Sequence, residues 1–172
     1  MQLYAERAAW GERGGKILKA AARETVTDRP EIEIFNDSLA RCLRGEQFFQ
    51  RFYELFLASS MEVRDKFRNT NFGRQRRMLQ TSFYVLVEYI ALGWPECQAY
   101  LERIAAAHSK QGRDIHPGLY DLWLDCLLRA VQTCDVLYST EVEAAWRYMM
   151  GAGIAFLKSR YDQPIAGREV AG

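Results

Sequence analysis

The most informative segment of the sequence is Leu101-Glu102-Arg103-Ile104-Ala105-Ala106-Ala107-His108, which ends in one of the two histidines. Its apolar residues recur at helical spacing, so Leu101, Ile104 and His108 share one face of a helix. The pattern predicts a helix whose histidine ring points into the core. Taken alone, such a ring is more often a buried neutral side chain than a metal ligand, and both interpretations stay open at this point.

Helical spacing recurs along the rest of the chain and strand-like alternation is almost absent, which predicts an all-α protein. Thr140 followed by Glu143 predicts a capping box at the last helix. We expect residues 1–29 to be a partly helical N-terminal extension, 30–161 to be one domain and 162–172 to be a flexible tail. The predicted helices are about Pro30–Leu43, Glu46–Ser59, Met61–Phe67, Phe72–Ala91, Pro95–Ser109, Pro117–Cys134 and Thr140–Tyr161.

Composition argues against several classes of function. The 23 Lys and Arg nearly balance the 22 Asp and Glu, so neither nucleic acid nor an anionic membrane is an expected partner. No apolar run is long enough to span a membrane, and the start lacks a signal-peptide core. The four cysteines form no CxxC pair, which predicts a cytoplasmic protein with free, mostly buried thiols.

Motifs of catalysis are also missing. The sequence has no GxSxG, no glycine-rich phosphate loop and no HExxH. It has 2 histidines, and His116 is expected at the start of a helix, which leaves little material for a hydrolase triad. This scarcity of reactive side chains favours a function carried by a cofactor.

The order of these helices and of several short segments within them resembles the globin family, in particular bacterial globins of the single-domain and sensor type. The resemblance spans about Pro30 to Tyr161 and rests on six pieces in the same order. These are the segments 48–56 (FFQRFYELF), 62–67 (EVRDKF), 75–79 (QRRML), 101–108 (LERIAAAH), 115–120 (IHPGLY) and 144–146 (AAW).

The resemblance implies a globin fold of seven to eight helices around b-type haem. It implies that His108 is the proximal iron ligand and that Phe67 wedges the ring. Tyr53 matches the distal tyrosine, and Gln75 and Leu79 match the two residues over the ligand site. The remaining predicted haem contacts are Ile104, Ile115 and Tyr120.

The residue types agree with gas binding. Gln75 and Leu79 are four apart and therefore share a helical face. The Tyr53 hydroxyl and the Gln75 amide both donate hydrogen bonds, which a polar oxygen ligand accepts better than carbon monoxide. We therefore expect selective retention of oxygen.

Three functions are compatible with these residues. The favoured one is a gas-binding protein without catalysis of its own, which senses, stores or transports oxygen or another diatomic ligand. The second is a nitric-oxide dioxygenase or peroxidase-like enzyme with an external reductase. The chain has no flavin or nicotinamide domain, and the glutamate that flavohaemoglobins carry on the last helix has no counterpart near Tyr161. The third is a haem-free interaction module, and a homodimer or a separate signalling or reductase partner is compatible with the first two.

Overall fold

A computed structural model describes residues 30–45 and 47–163. In these residues the chain forms helices and no strand, as the sequence predicted. The predictions for residues 1–29, Glu46 and residues 164–172 lie outside the described part. The helices are α1 (Pro30–Leu43), α2 (Gln47–Ser59), α3 (Met61–Lys66), α4 (Phe72–Leu92), α5 (Pro95–His108), α6 (Leu119–Cys134) and α7 (Thr140–Ser159).

The ends of α4 follow from its flanking residues. The side chain of Asn71 accepts a hydrogen bond from the backbone N–H of Arg74 at 3.0 Å, which caps the first turn. Gly93 ends the helix with a φ of 63°, a left-handed conformation that costs glycine little. Pro95 then opens α5 within its first turn, as predicted.

One predicted helix start and one predicted capping residue are wrong. The helix expected from Pro117 begins at Leu119, because the backbone N–H of Gly118 donates to Nδ1 of His116 in a preceding turn. The capping residue of α7 is Ser139 and not Thr140. Glu143 does not close a capping box, since it accepts from the hydroxyl of Tyr138 at 2.6 Å.

The main core lies where α1 packs on α7 and α2 packs on α6. Trp146 of α7 is fully buried at its centre and contacts Phe35 with a ring separation of 4.6 Å. Phe83 of α4 meets the same tryptophan edge-on at 5.7 Å. Burial of these aromatic side chains supplies much of the apolar area that stabilises the fold.

A buried polar network crosses this core. Ser38 accepts from the indole N–H of Trp146 at 2.9 Å and donates to Asp135 at 2.6 Å. Arg41 donates to the same carboxylate through Nη2 at 2.9 Å and through Nε at 2.5 Å, and the backbone N–H of Leu137 donates at 2.9 Å. Each lone pair of the buried carboxylate therefore meets a donor, which offsets the cost of burying its charge.

Cys42, Cys97 and Cys126 are buried, Cys134 is half-buried, and all four are free, as expected. Burial raises the pKa of Cys42 to about 12, so this thiol stays protonated. Among the described helices, none is both long and apolar enough to cross a bilayer. The cytoplasmic location stays a prediction.

Candidate functional site

A large cavity opens between α2, α4, α5, α6 and α7. It has a volume of about 190 Å³, and its walls are mainly aliphatic and aromatic. Cavities of this kind, apolar with a few placed polar groups, are typical of cofactor sites. The lining includes all eight residues predicted for the site: Tyr53, Phe67, Gln75, Leu79, Ile104, His108, Ile115 and Tyr120.

His108 is the last residue of α5, and its half-buried ring lines the cavity. Its Nδ1 lies 2.8 Å from the carbonyl oxygen of Ile104. A carbonyl only accepts hydrogen bonds, so Nδ1 must be the protonated nitrogen and Nε2 carries the free lone pair. Burial lowers the pKa of His108, and the hydrogen bond to Ile104 opposes this effect without reversing it. The lowered pKa favours the neutral ring. A neutral imidazole fixed in this tautomer can ligate a metal through Nε2.

Tyr53 and Gln75 reach the cavity from α2 and α4. Tyr53 is buried, and burial raises its pKa to about 12, while the side chain of Gln75 acts in the opposite direction. The phenol therefore stays protonated at neutral pH and remains a hydrogen-bond donor. Tyr53 and Gln75 both line the cavity, so two polar side chains face a mainly apolar wall.

An aromatic cluster holds this part of the wall in place. Phe67 follows α3 and stacks on Phe72 with a ring separation of 6.2 Å. Tyr53 meets Phe72 edge-on at 5.3 Å and Phe67 at 5.9 Å. Such edge and offset contacts are favourable beyond the buried area alone. The cluster therefore fixes the orientation of the Tyr53 ring.

Ile115 and Tyr120 enter the cavity just after the histidine. The backbone N–H of Ile115 donates to the carbonyl of His108 at 3.0 Å, which folds the loop back onto the end of α5. Tyr120 lies in the first turn of α6 and is 7% exposed. Burial raises its pKa to about 12, so its hydroxyl is neutral as well.

Several lining residues were not predicted as site residues. Those on α4 and α7 recur every three or four residues and therefore share one face of each helix. A fuller use of helical periodicity would have found them. They are Met78, Ser82, Phe83, Leu86, Met150, Gly153, Ile154 and Leu157. Lys66 also lines the cavity, and no sequence pattern pointed to it. Arg74, Arg76 and Arg77 of α4 are exposed and do not line it.

The helices and the cavity that they enclose define an all-α protein with the globin fold. Comparison with solved structures finds a crystal structure from Pseudomonas aeruginosa PAO1 that is described as structurally highly homologous to a human hemoglobin. The two chains are 41% identical with a TM-score of 0.71, and the match covers 76% of this chain and 98% of that one. The chain therefore belongs to the globin family.

Other comparisons add nothing to this assignment. No protein-family model matches the sequence, and no curated protein matches it either.

Proposed function

We propose that the protein binds b-type haem through Nε2 of His108 and reversibly binds a diatomic gas, in the first place oxygen, for sensing, storage or transport. The observation that carries this proposal is the arrangement of His108. Its Nδ1 is engaged by the Ile104 carbonyl, and its ring lines a mainly apolar cavity that Tyr53 and Gln75 also line.

The residues of the cavity fit this group. A flat macrocycle needs apolar walls, and the lining supplies Phe67, Leu79 and Ile115 among others. It needs an axial nitrogen, which the neutral imidazole of His108 offers. When bound, haem would supply the iron on which a diatomic gas is held.

Selectivity would come from Tyr53 and Gln75. Both can donate a hydrogen bond into the cavity, and Tyr53 keeps its proton because its pKa is about 12. A donor held in place by the Phe67 and Phe72 rings loses little entropy when it meets a polar ligand. This arrangement favours oxygen over carbon monoxide, because the less polar ligand gains less from a hydrogen bond.

The partner of His108 supports gas binding over turnover of nitric oxide or peroxide. In flavohaemoglobins a glutamate of the last helix lies beside the proximal histidine, and a similar enzyme would need such a carboxylate here. Here the partner is the backbone carbonyl of Ile104, and the α7 residues at the cavity are Met150, Gly153, Ile154 and Leu157. A neutral carbonyl polarises the imidazole less than a carboxylate does.

Titration of the purified protein with hemin tests the proposal. The wild type should develop a Soret band with one equivalent of hemin, and the band should shift on reduction and again with carbon monoxide. His108→Ala should lose the tight complex, because the axial nitrogen is removed. His116→Ala is the matched control, since His116 is the other histidine and is exposed outside the cavity. It should bind hemin as the wild type does.

Two results would contradict the proposal. A wild-type protein that forms no Soret complex would favour the haem-free interaction module. A His108→Ala protein with unchanged hemin affinity and an unchanged ferrous spectrum would mean that another side chain ligates the iron.

A further inference from the structure

Lys66 differs from every other residue of the cavity wall in its charge. It is the last residue of α3 and lies directly before Phe67, and among the described residues that line the cavity it alone carries a formal charge at neutral pH. The lysine is exposed, so its ammonium group marks the mouth of the cavity and not its interior. The mouth therefore has a positive charge beside an apolar wall.

The ammonium group is held in place by the loop that follows His108. Its Nζ donates to the carbonyl of Arg113 at 3.0 Å and to the carbonyl of Asp114 at 2.6 Å. The side chain of Asp114 is engaged elsewhere, because it accepts from the hydroxyl of Tyr161 at 2.7 Å. An ammonium has three donors, so one N–H remains available after these two bonds.

The charge itself is not neutralised. In the described part of the chain, Lys110 and Lys158 each form an ion pair with an aspartate, whereas no carboxylate lies within ion-pair distance of Lys66. Two neutral carbonyls fix the position of the ammonium group but do not cancel its charge. A cation held at the mouth of an apolar cavity is complementary to a ligand with an apolar body and an anionic edge.

We propose that Lys66 pairs with a carboxylate at the edge of the molecule that occupies the cavity. This rests on the proposed function, since haem combines a flat apolar ring with carboxylates on one edge. The pairing orients the ring so that its carboxylate edge faces α3 and the loop after His108. It also slows the escape of the ring through the mouth.

The test measures the rate at which hemin passes from the protein to excess apomyoglobin. Lys66→Met removes the charge and keeps the length of the side chain, and we expect loss about 2- to 5-fold faster than from the wild type, the range of an exposed ion pair. Lys66→Arg should restore slow loss. Arg64→Met is the matched control, because Arg64 is an exposed cation of the same helix that does not line the cavity, and its rate should match the wild type.

Esterified hemin separates the charge from the packing. With hemin dimethyl ester, which has no free carboxylates, wild type and Lys66→Met should lose the ligand at the same rate. Added salt should narrow their difference for ordinary hemin, because it screens exposed charges. The free energy of unfolding of the ligand-free Lys66→Met protein gives the separate cost of the two lost carbonyl bonds.

The outcomes are distinguishable. If Lys66→Met loses both ligands faster by the same factor, Lys66 acts only through the loop and the inference is wrong. Equal loss of ordinary hemin from wild type and Lys66→Met also overturns it, while the proposed function stands. A wild-type protein that binds no hemin overturns both.

Discussion

The two sides of this molecule are packed for different tasks. Seven of the 16 residues of α6 are buried, and five of these lie on the core side, away from the cavity. Only two of the 21 residues of α4 are buried, Phe83 and Leu86, and both line the cavity. The core side is closed by Trp146 and the Asp135 network, and the cavity side is open to a ligand. The difference indicates that the free energy of unfolding depends mainly on the first side and ligand affinity on the second.

The largest change in the free energy of unfolding is expected from a substitution on the core side. Asp135→Ala removes the carboxylate that satisfies Arg41 and Ser38, and it should lower the free energy of unfolding by about 3–5 kcal/mol, as for other broken buried pairs. Denaturant unfolding measures this. Asp121→Ala is the matched control, because that carboxylate is 75% exposed in its pair with Lys158 and should cost less than about 1 kcal/mol. If Asp135→Ala lowers the free energy of unfolding no more than Asp121→Ala does, stability does not depend mainly on the core side.

On the cavity side, Tyr53→Phe should act on the ligand and hardly on the fold. Removal of the hydroxyl should speed oxygen dissociation about 10- to 150-fold, which corresponds to about 1.5–3 kcal/mol for a donor to a charged acceptor. Stopped-flow measurement of oxygen release from the hemin-loaded, reduced protein gives this rate. Tyr148→Phe, at an exposed tyrosine of α7 outside the cavity, should leave the rate unchanged. An unchanged rate in Tyr53→Phe as well would remove this hydroxyl from the ligand site.

A smaller change in the free energy of unfolding is expected when the pH is lowered. Burial raises the pKa of Asp135, but hydrogen bonds from Arg41, Ser38 and Leu137 outweigh this effect, so the folded-state pKa lies below the ordinary value of 3.8. A depressed folded-state pKa stabilises the fold fully above the unfolded-state pKa, and this contribution is lost as pH falls through the folded-state value. The stability difference between wild type and Asp135→Asn should therefore be constant from pH 7 down to about 5 and shrink below pH 4. A difference that does not change with pH would mean that Asp135 does not titrate in this network.

The sequence predicted much of both sides because local periodicity controls them. Helix positions followed from apolar spacing, and the turn after α4 followed from Gly93 and Pro95. The Asp135–Arg41 pair was not predictable, since its partners are 94 residues apart and periodicity carries no information on that contact. The first residue of α7 is Thr140, as predicted, but its capping residue was misassigned because Ser139 and Thr140 are both good capping residues.

The candidate site shows the same limit. All eight predicted residues line one cavity, since they lie on faces that helical spacing and the globin resemblance mark together. The hydrogen bond between Nδ1 of His108 and the carbonyl of Ile104, which fixes the tautomer, needed the three-dimensional structure. Lys66 could not be singled out, because an exposed lysine at a helix end is typical of any soluble surface.

The identity of the iron ligand is the central claim, and resonance Raman spectroscopy of the ferrous, hemin-loaded protein tests it most directly. His116→Ala leaves His108 as the single histidine in the sequence. In this variant we expect an iron–imidazole stretching band that shifts when the histidine is labelled with ¹⁵N. Absence of any label-sensitive band, with hemin still bound, would contradict ligation by His108.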